Sequence, residues 1–261
     1  MNEAKAPGVA AKVMGILDAF APGDPALTLT EICRRTGLPL ATGHRLIGEL
    51  VAGGFLERRR DGSYRVGLRL WQIAAQASAA TVLRELALPF MQDLYEATHE
   101  NVQLAIVREG RALYLERIRG PRSVPIVSRV GTELPLHATG VGKIFLAFGP
   151  AELLERAIGD GLGALTRQTI TDPARLRAEL AEVRREGFAV TREEMTLGSC
   201  SVAAPVRDAR GGVVAALSLV ARSGAVDVRR LAPVVVAEAR ALSRDIATRG
   251  NPEILAEPSF R

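Results

Sequence analysis

Aromatic residues are scarce in this 261-residue chain, 4% of the whole with one tryptophan, so its core must rest on Leu, Val, Ile and Ala. There are two cysteines, Cys33 and Cys200. They lie too far apart in sequence to form a disulfide framework. The three histidines, His44, His99 and His137, lack metal-ligand spacing, so no metal is expected. No run approaches the roughly 18 apolar residues of a membrane span. The opening residues, MNEAKAPG, lack the apolar core of a signal peptide. The expectation is a cytoplasmic protein with no membrane partner.

What is present reads as globular: 48% hydrophobic and 24% charged residues, in a length that admits one large domain or two ordinary ones. The net charge of +5 is mild but concentrated. Between Thr28 and Leu70 eight arginines face four acids, which accounts for +4 of it. A local basic patch is the electrostatic footprint of a DNA-contacting module.

The same stretch carries the matching shape. Val9, Val13, Ile16, Leu17 and Phe20 line one face of a first helix, which Pro22, Gly23 and Pro25 end. Thr28-Leu29-Thr30-Glu31 has the form of a capping box and opens a short helix that stops at Gly37. Pro39 opens the next helix from its first turn. Leu46, Ile47, Leu50 and Val51 form its buried stripe, with Thr42, Arg45 and Glu49 on the opposite face and His44 at the edge. Gly53-Gly54 close it. FLERR and SYRV then flank an Asp61-Gly62 turn, a strong hairpin signal. Arg58, Arg59 and Arg60 stand beside the tip, placed to lie along a phosphate backbone or enter a minor groove. Two helices joined by a glycine turn, followed by a basic hairpin, make a winged helix-turn-helix that sets one helix into the major groove. Its expected contacts are Thr30, Arg34, Thr42, His44, Arg45, Arg58, Arg59 and Arg60.

Residues 67–81, GLRLWQIAAQASAAT, read as an Ala-rich connecting helix whose apolar face packs on its own domain or on a second copy. From Val82 the pattern changes. An amphipathic helix runs to about Thr98, NVQLAIV and ALYLERI form an antiparallel hairpin, and PIVSRV reads as another strand. TELPLHATGVGKIFLAF leads from a turn into a helix. Asp172, Pro173 and Gly187 cap and close a further helix. FAVTREE and SVAAPVRDARGGVVAALSLVAR supply a strand and a hairpin turning at Asp208–Gly212. A helix from Val228 to Arg249 closes the domain. Hairpin-joined strands with helices between them argue an α+β domain on an antiparallel sheet.

Constellations for chemistry are thin. HATGVGKIF is no phosphate-binding loop, since that pattern needs Gly at 137 and Ser or Thr at 144, where His137 and Ile144 stand. Its Gly140-Val141-Gly142 turn still places free amides at a helix start, suited to a carboxylate. Cys200 has no local histidine partner, and Glu193-Glu194, if on a strand, point to opposite faces. No catalytic residues and no cofactor are expected, and the chain reads as a non-enzyme.

Taken in order, LTLTEICRRTGLP, HRLIGEL, GGFLERRRDGSYRVG, LPLHATGVGKIFLA, Arg185-Glu186-Gly187-Phe188-Ala189-Val190 and Glu194…Gly198…Val202-Ala203-Ala204-Pro205-Val206 resemble the IclR-type bacterial transcriptional regulators over residues 9–246. The resemblance implies a winged helix-turn-helix at 1–66, a linker helix at 67–81, a GAF-like effector domain at 82–250 and a tail at 251–261. It further implies a homodimer or tetramer on a palindromic double-stranded operator, acting as a repressor under control of a small, in some members aromatic, organic acid. The implied effector positions are Ile126, Leu134, Gly140, Val141, Thr191, Ser201, Ser218 and Val220, with the carboxylate on the Gly140–Gly142 amides and the Ser201 and Ser218 hydroxyls. The sequence departs from the family pattern at Leu40-Ala41-Thr42-Gly43, where Lys-Ser-Thr-Val is frequent. It departs again at Ser201, frequently Cys, and at Thr191, Asp in some members. Two other readings are a constitutive DNA-binding regulator whose sensor domain takes no ligand and an acid-processing enzyme fused to a DNA-binding module.

Overall fold

The computed structural model describes residues 8–249 apart from 22–23, 75–78, 122 and 226. The chain falls into two compact units, residues 1–78 and 79–261. The expectations placed on Pro22 and Gly23, on part of the connecting helix and on the tail lie outside the described residues.

The first unit comprises α1 (Val9–Asp18), α2 (Leu29–Thr36), α3 (Leu40–Ala52), β1 (Leu56–Arg58), β2 (Tyr64–Val66) and α4 (Leu68–Ala74). Both halves of the capping box form at α2. The Glu31 amide donates to Thr28 Oγ1 at 3.3 Å, and the Thr28 amide donates to Glu31 Oε2 at 2.7 Å. Such a cap contributes about 1 kcal/mol. The helix ends at Gly37 with φ 69°, a left-handed conformation that costs glycine little. Pro39 sits one position earlier than expected, as the N-cap of α3 rather than its first residue. Leu46, Ile47 and Leu50 bury the inner face of α3 in one cluster with Ile16, Ile32 and Leu56. β1 and β2 pair antiparallel, Arg58 opposite Tyr64, and the Arg59 amide donates to the Ser63 carbonyl across the turn at 2.8 Å. A one-residue third rung, Leu27, exchanges backbone hydrogen bonds with Tyr64 at 2.9 and 2.8 Å. A single residue has no periodicity, so nothing in the sequence marked it.

The second unit comprises α5 (Ala79–Thr98), β3 (Asn101–Arg108), β4 (Arg111–Ile118), β5 (Glu133–Pro135), α6 (Gly140–Phe148), α7 (Ala151–Gly159), α8 (Pro173–Glu186), β6 (Ala189–Arg192), β7 (Ser199–Arg207), β8 (Val213–Arg222) and α9 (Ala232–Arg249). Its sheet is antiparallel throughout, in the order β5-β4-β3-β8-β7-β6. Along β7 the side chains alternate. Cys200, Val202, Ala204 and Val206 pack with α5 and α9, while Ala203 packs with α6 and α8. Helices cover both faces, so the strands are apolar on both sides.

Four expectations are corrected here. Pro125–Val130 is a loop, and the strand beside β4 is Glu133–Pro135. The helix expected from Val82 begins at Ala79. Helix α7 was not foreseen, since Pro150 serves as its N-cap with no side-chain cap to announce it. The closing helix starts as a 3-10 turn at Val228–Leu231 before α9.

Candidate functional site

In the first unit, the residues expected to meet nucleic acid lie on its surface. Thr30, Arg34, His44, Arg45, Arg58, Arg59 and Arg60 are exposed, and Thr42 is half-buried. Their electrostatic commitments differ. Arg45 pairs with Glu49 one turn on at 2.6 Å, and Arg59 with Asp61 at 3.5 Å. Arg35 is tied inward, to the Ala19 carbonyl at 2.8 Å and to Asp24 at 2.6 Å, and Arg65 pairs with Glu57. Among the described residues Arg34, Arg58 and Arg60 make no ion pair, so their charge is available to an external phosphate. Gly43, one of the departures from the family pattern, is buried in α3. A Cβ built there would stand 2.3 Å from Cys33 Sγ. Glycine lets α3 approach α2 around the thiol.

In the second unit, Ile126, Leu134, Gly140, Val141, Thr191, Ser201, Ser218 and Val220 all line one cavity of about 40 Å³. Strand register brings the polar ones together: Thr191 lies opposite Ser201, Ser201 opposite Val220, and Ser218 opposite Gln103. Gly140 and Val141 open α6, so their amides have no intrahelical acceptor. The Gly142 amide, expected in the same anion site, instead donates to the N-cap Thr139 Oγ1 at 3.2 Å. A Cβ at Gly140 would stand 2.7 Å from Ser201 Oγ, so a larger residue there displaces that hydroxyl.

The hydroxyls are partly committed. Thr191 and Ser201 share one hydrogen bond at 2.6 Å, which uses one of their two protons and leaves one to donate. Ser218 donates to Gln103 Oε1 at 3.5 Å, and Gln103 Nε2 donates in turn to Ser128 Oγ.

Sequence reading missed Gln103, Tyr114, Ser128 and Glu194, which line the same cavity. Burial holds the Tyr114 phenol well above its ordinary pKa, so it stays a neutral donor. Glu194 was expected on a strand, but β6 ends at Arg192 and Glu193 turns through φ 57°. The turn carries the Glu194 carboxylate to Lys143 Nζ at 2.6 Å; Lys143 is fully buried and also lies 3.4 Å from Glu179. Burial raises the Glu194 carboxyl above 4.5, and the neighbouring Lys143 charge offsets part of that. Its Oε2 is buried without a partner among the described residues. A carboxyl group, absent at Thr191, thus lines the cavity at Glu194. A Glu in the Glu-Glu pair was visible in sequence, but the fold-back that buries it was not.

The Cys200 side chain belongs to the core on the α5 and α9 face, its thiol donating to the Ala221 carbonyl at 3.6 Å, and burial pushes its pKa up. His137 Nε2 donates to the Gly163 carbonyl at 3.0 Å.

Two family models match. The IclR helix-turn-helix domain matches residues 9–60, and the C-terminal domain of the bacterial transcriptional regulator IclR matches residues 75–248. The chain is 31% identical over 223 residues to the HTH-type transcriptional regulator XynR of Escherichia coli, covering 85% of this chain and 88% of that protein. It is 27% identical over 208 residues to the transcriptional repressor IclR of Escherichia coli, covering 78% and 76%. Among solved structures, an IclR homolog from Microbacterium hydrocarbonoxydans complexed with 4-hydroxybenzoate superposes with a TM-score of 0.86 at 34% identity, over 94% of this chain and all of that one.

Proposed function

This chain belongs to the IclR family of bacterial transcriptional regulators, and we propose that it is a cytoplasmic repressor whose hold on a palindromic operator is set by a small organic acid. The observation that carries the effector half is that the eight residues implied by the family resemblance line one cavity. The Gly140 and Val141 amides and the spare proton of the Thr191–Ser201 pair receive the carboxylate, while Ile126, Leu134 and Val220 hold an apolar body. A hydroxylated aromatic acid suits this set, and a relative holds one in its solved structure.

The cavity, about 40 Å³, is well below the roughly 300–1,000 Å³ of ordinary ligand pockets. An aromatic acid therefore enters only if a wall yields. The loop that supplies Ile126, Val127 and Ser128 is one wall without sheet pairing, and the turn that supplies Glu194, Met195 and Thr196 is another. A ligand that favours the displaced wall shifts the protein between two arrangements, as control of DNA affinity requires.

In the DNA-binding half, Thr30, Arg34, Thr42, His44, Arg45, Arg58, Arg59 and Arg60 supply the contacts, with phosphates weighted over bases. We assign this role to residues 1–66, the connector to 67–81 and the sensor to 82–250. Self-association into a dimer or tetramer supplies the two-fold axis that a palindrome mirrors. Leu68 and Trp71 on α4, which buries none of its own side chains, offer an apolar surface for it.

The test is a footprint on the DNA upstream of the protein's own gene, with 4-hydroxybenzoate and a panel of aliphatic acids. Protection that one acid shifts in the native protein, and not in Gly140→Ala, supports the reading. In that variant Ser201 must rotate away from Thr191 while the first unit is untouched. Absence of protection removes the DNA assignment. Protection that no acid alters leaves a constitutive regulator.

A further inference from the structure

Strand β7 outruns its neighbour. β6 stops pairing at Ala189, opposite Ala203, so residues 204–207 form an uncovered edge. Pro205 has no N–H to offer there, and the Arg207 amide donates to Ser243 Oγ on α9 at 2.9 Å. A cleft of about 440 Å³ opens along this edge, between the ends of α6 and α8 and the outer face of α9. Its walls carry Arg184, Arg207, Arg240, Arg244 and Phe148, and, among the described residues, no carboxylate. It shares no lining residue with the central cavity.

The four guanidinium groups are of two kinds. Arg184 and Arg207 are anchored. Arg184 Nε donates to the Ala147 carbonyl at 2.6 Å, Arg207 Nη1 donates to the Gly211 carbonyl at 2.8 Å, and Arg207 lies over Phe148 at 4.7 Å from the ring centre. Each keeps most of its five N–H donors unspent. Arg240 and Arg244 stand one turn apart on α9, and neither side chain has an ion pair or hydrogen bond among the described residues. Some arginines elsewhere in this unit are matched, Arg84 with Glu116, Arg177 with Glu155, Arg229 with Glu186 and Arg249 with Asp245, while others, such as Arg167 and Arg192, have no ion pair among the described residues.

Like charges one helical turn apart repel, and so do guanidinium groups gathered along one cleft, of which Arg207 is half-buried and Arg184, Arg240 and Arg244 are exposed. Burial already lowers the Arg207 pKa. An anion spanning the cleft removes that repulsion, and planar guanidinium forks bind paired oxygens bidentately.

We propose that this cleft is a second ligand site, separate from the effector cavity, that takes a small multiply charged oxyanion, either phosphate-bearing or polycarboxylate.

Calorimetric titration of the full-length protein with inorganic pyrophosphate and, separately, with citrate tests this, sodium chloride holding ionic strength constant. The expected result is saturable binding of at least one anion at one site per chain. Binding should weaken at least tenfold in Arg240→Ala/Arg244→Ala and stay unchanged in Gly140→Ala. Pyrophosphate alone identifies a phosphate ligand, and citrate alone a polycarboxylate. Should the double variant fail to fold, as its melting without anion would show, single Arg244→Glu poses the same question. No saturable binding of either anion, or binding that survives removal of the α9 arginines, overturns the proposal and leaves these side chains as protection for an open strand edge.

Discussion

Gly43 and Cys33 show how much can turn on one methyl-sized volume. Intrinsic propensity favours alanine over glycine inside a helix by about 1 kcal/mol, so Gly43→Ala ought to stabilise α3. The crowding at the thiol reverses the sign, because the new Cβ would stand 2.3 Å from Cys33 Sγ. We expect Gly43→Ala to destabilise the protein by about 1–3 kcal/mol through overpacking. Cys33→Ala/Gly43→Ala should recover most of that deficit. The two single changes and the double, compared by urea denaturation, form a cycle that isolates the coupling. Additive effects would show that the thiol is not what the glycine accommodates. The family pattern points the same way, since a bulkier valine is frequent at this position and the cysteine fills the space here.

Among elements, the wing carries the clearest prediction. Arg58 and Arg60 are exposed without ion pairs, whereas Arg59 has Asp61 at 3.5 Å. Replacing all three by alanine should weaken DNA binding nearly equally for every sequence. It should also flatten the log–log salt dependence by roughly one for each phosphate that the wing no longer neutralises. Arg58→Ala/Arg60→Ala alone should reproduce most of it. Binding isotherms across a salt series measure the slope, and an unchanged slope in the triple variant takes the wing off the DNA-facing surface. The loop at Pro125–Val130 behaves in the opposite way, its local pattern misleading where that of the wing is sound. Its alternation imitates a strand, but Glu133–Pro135 occupies the adjacent edge of β4. Without a ladder partner, the segment serves as a wall of the cavity proposed to take the effector.

For the whole molecule, the buried Lys143–Glu194 pair ties stability to pH. The folded state raises the Glu194 carboxyl above 4.5, so it holds a proton that the unfolded chain has already released. Stability contributed at this group therefore falls as pH rises from about 4.5 towards the folded value. Glu194→Gln is neutral at every pH and so lacks that slope, while Lys143 keeps Glu179 at 3.4 Å. We expect the variant to gain stability relative to the native protein as pH is raised through this window. Denaturation midpoints at a series of pH values read it out, and parallel curves would mean that Glu194 does not titrate differently on folding.

Most of the architecture was legible in the sequence because its causes are local. The Thr28–Glu31 cap, the Gly37 stop, the Asp61-Gly62 turn, the Asp172 cap and the strand alternation each act within a few residues of where they are read. The positions proposed for the effector came from family resemblance, and strand register sets the polar ones side by side along one cavity. What only the tertiary structure decided is which distant groups share a small volume. Lys143 meets Glu194 across 51 residues, and Cys33 fills the space that Gly43 leaves. The Gly142 amide is withdrawn by its cap, and the α9 arginines meet Arg184 and Arg207 beside an open edge. Local rules select helix, strand and turn through backbone sterics and nearby hydrogen bonds. Burial, close approach and charge convergence depend on packing between segments, which no local pattern encodes.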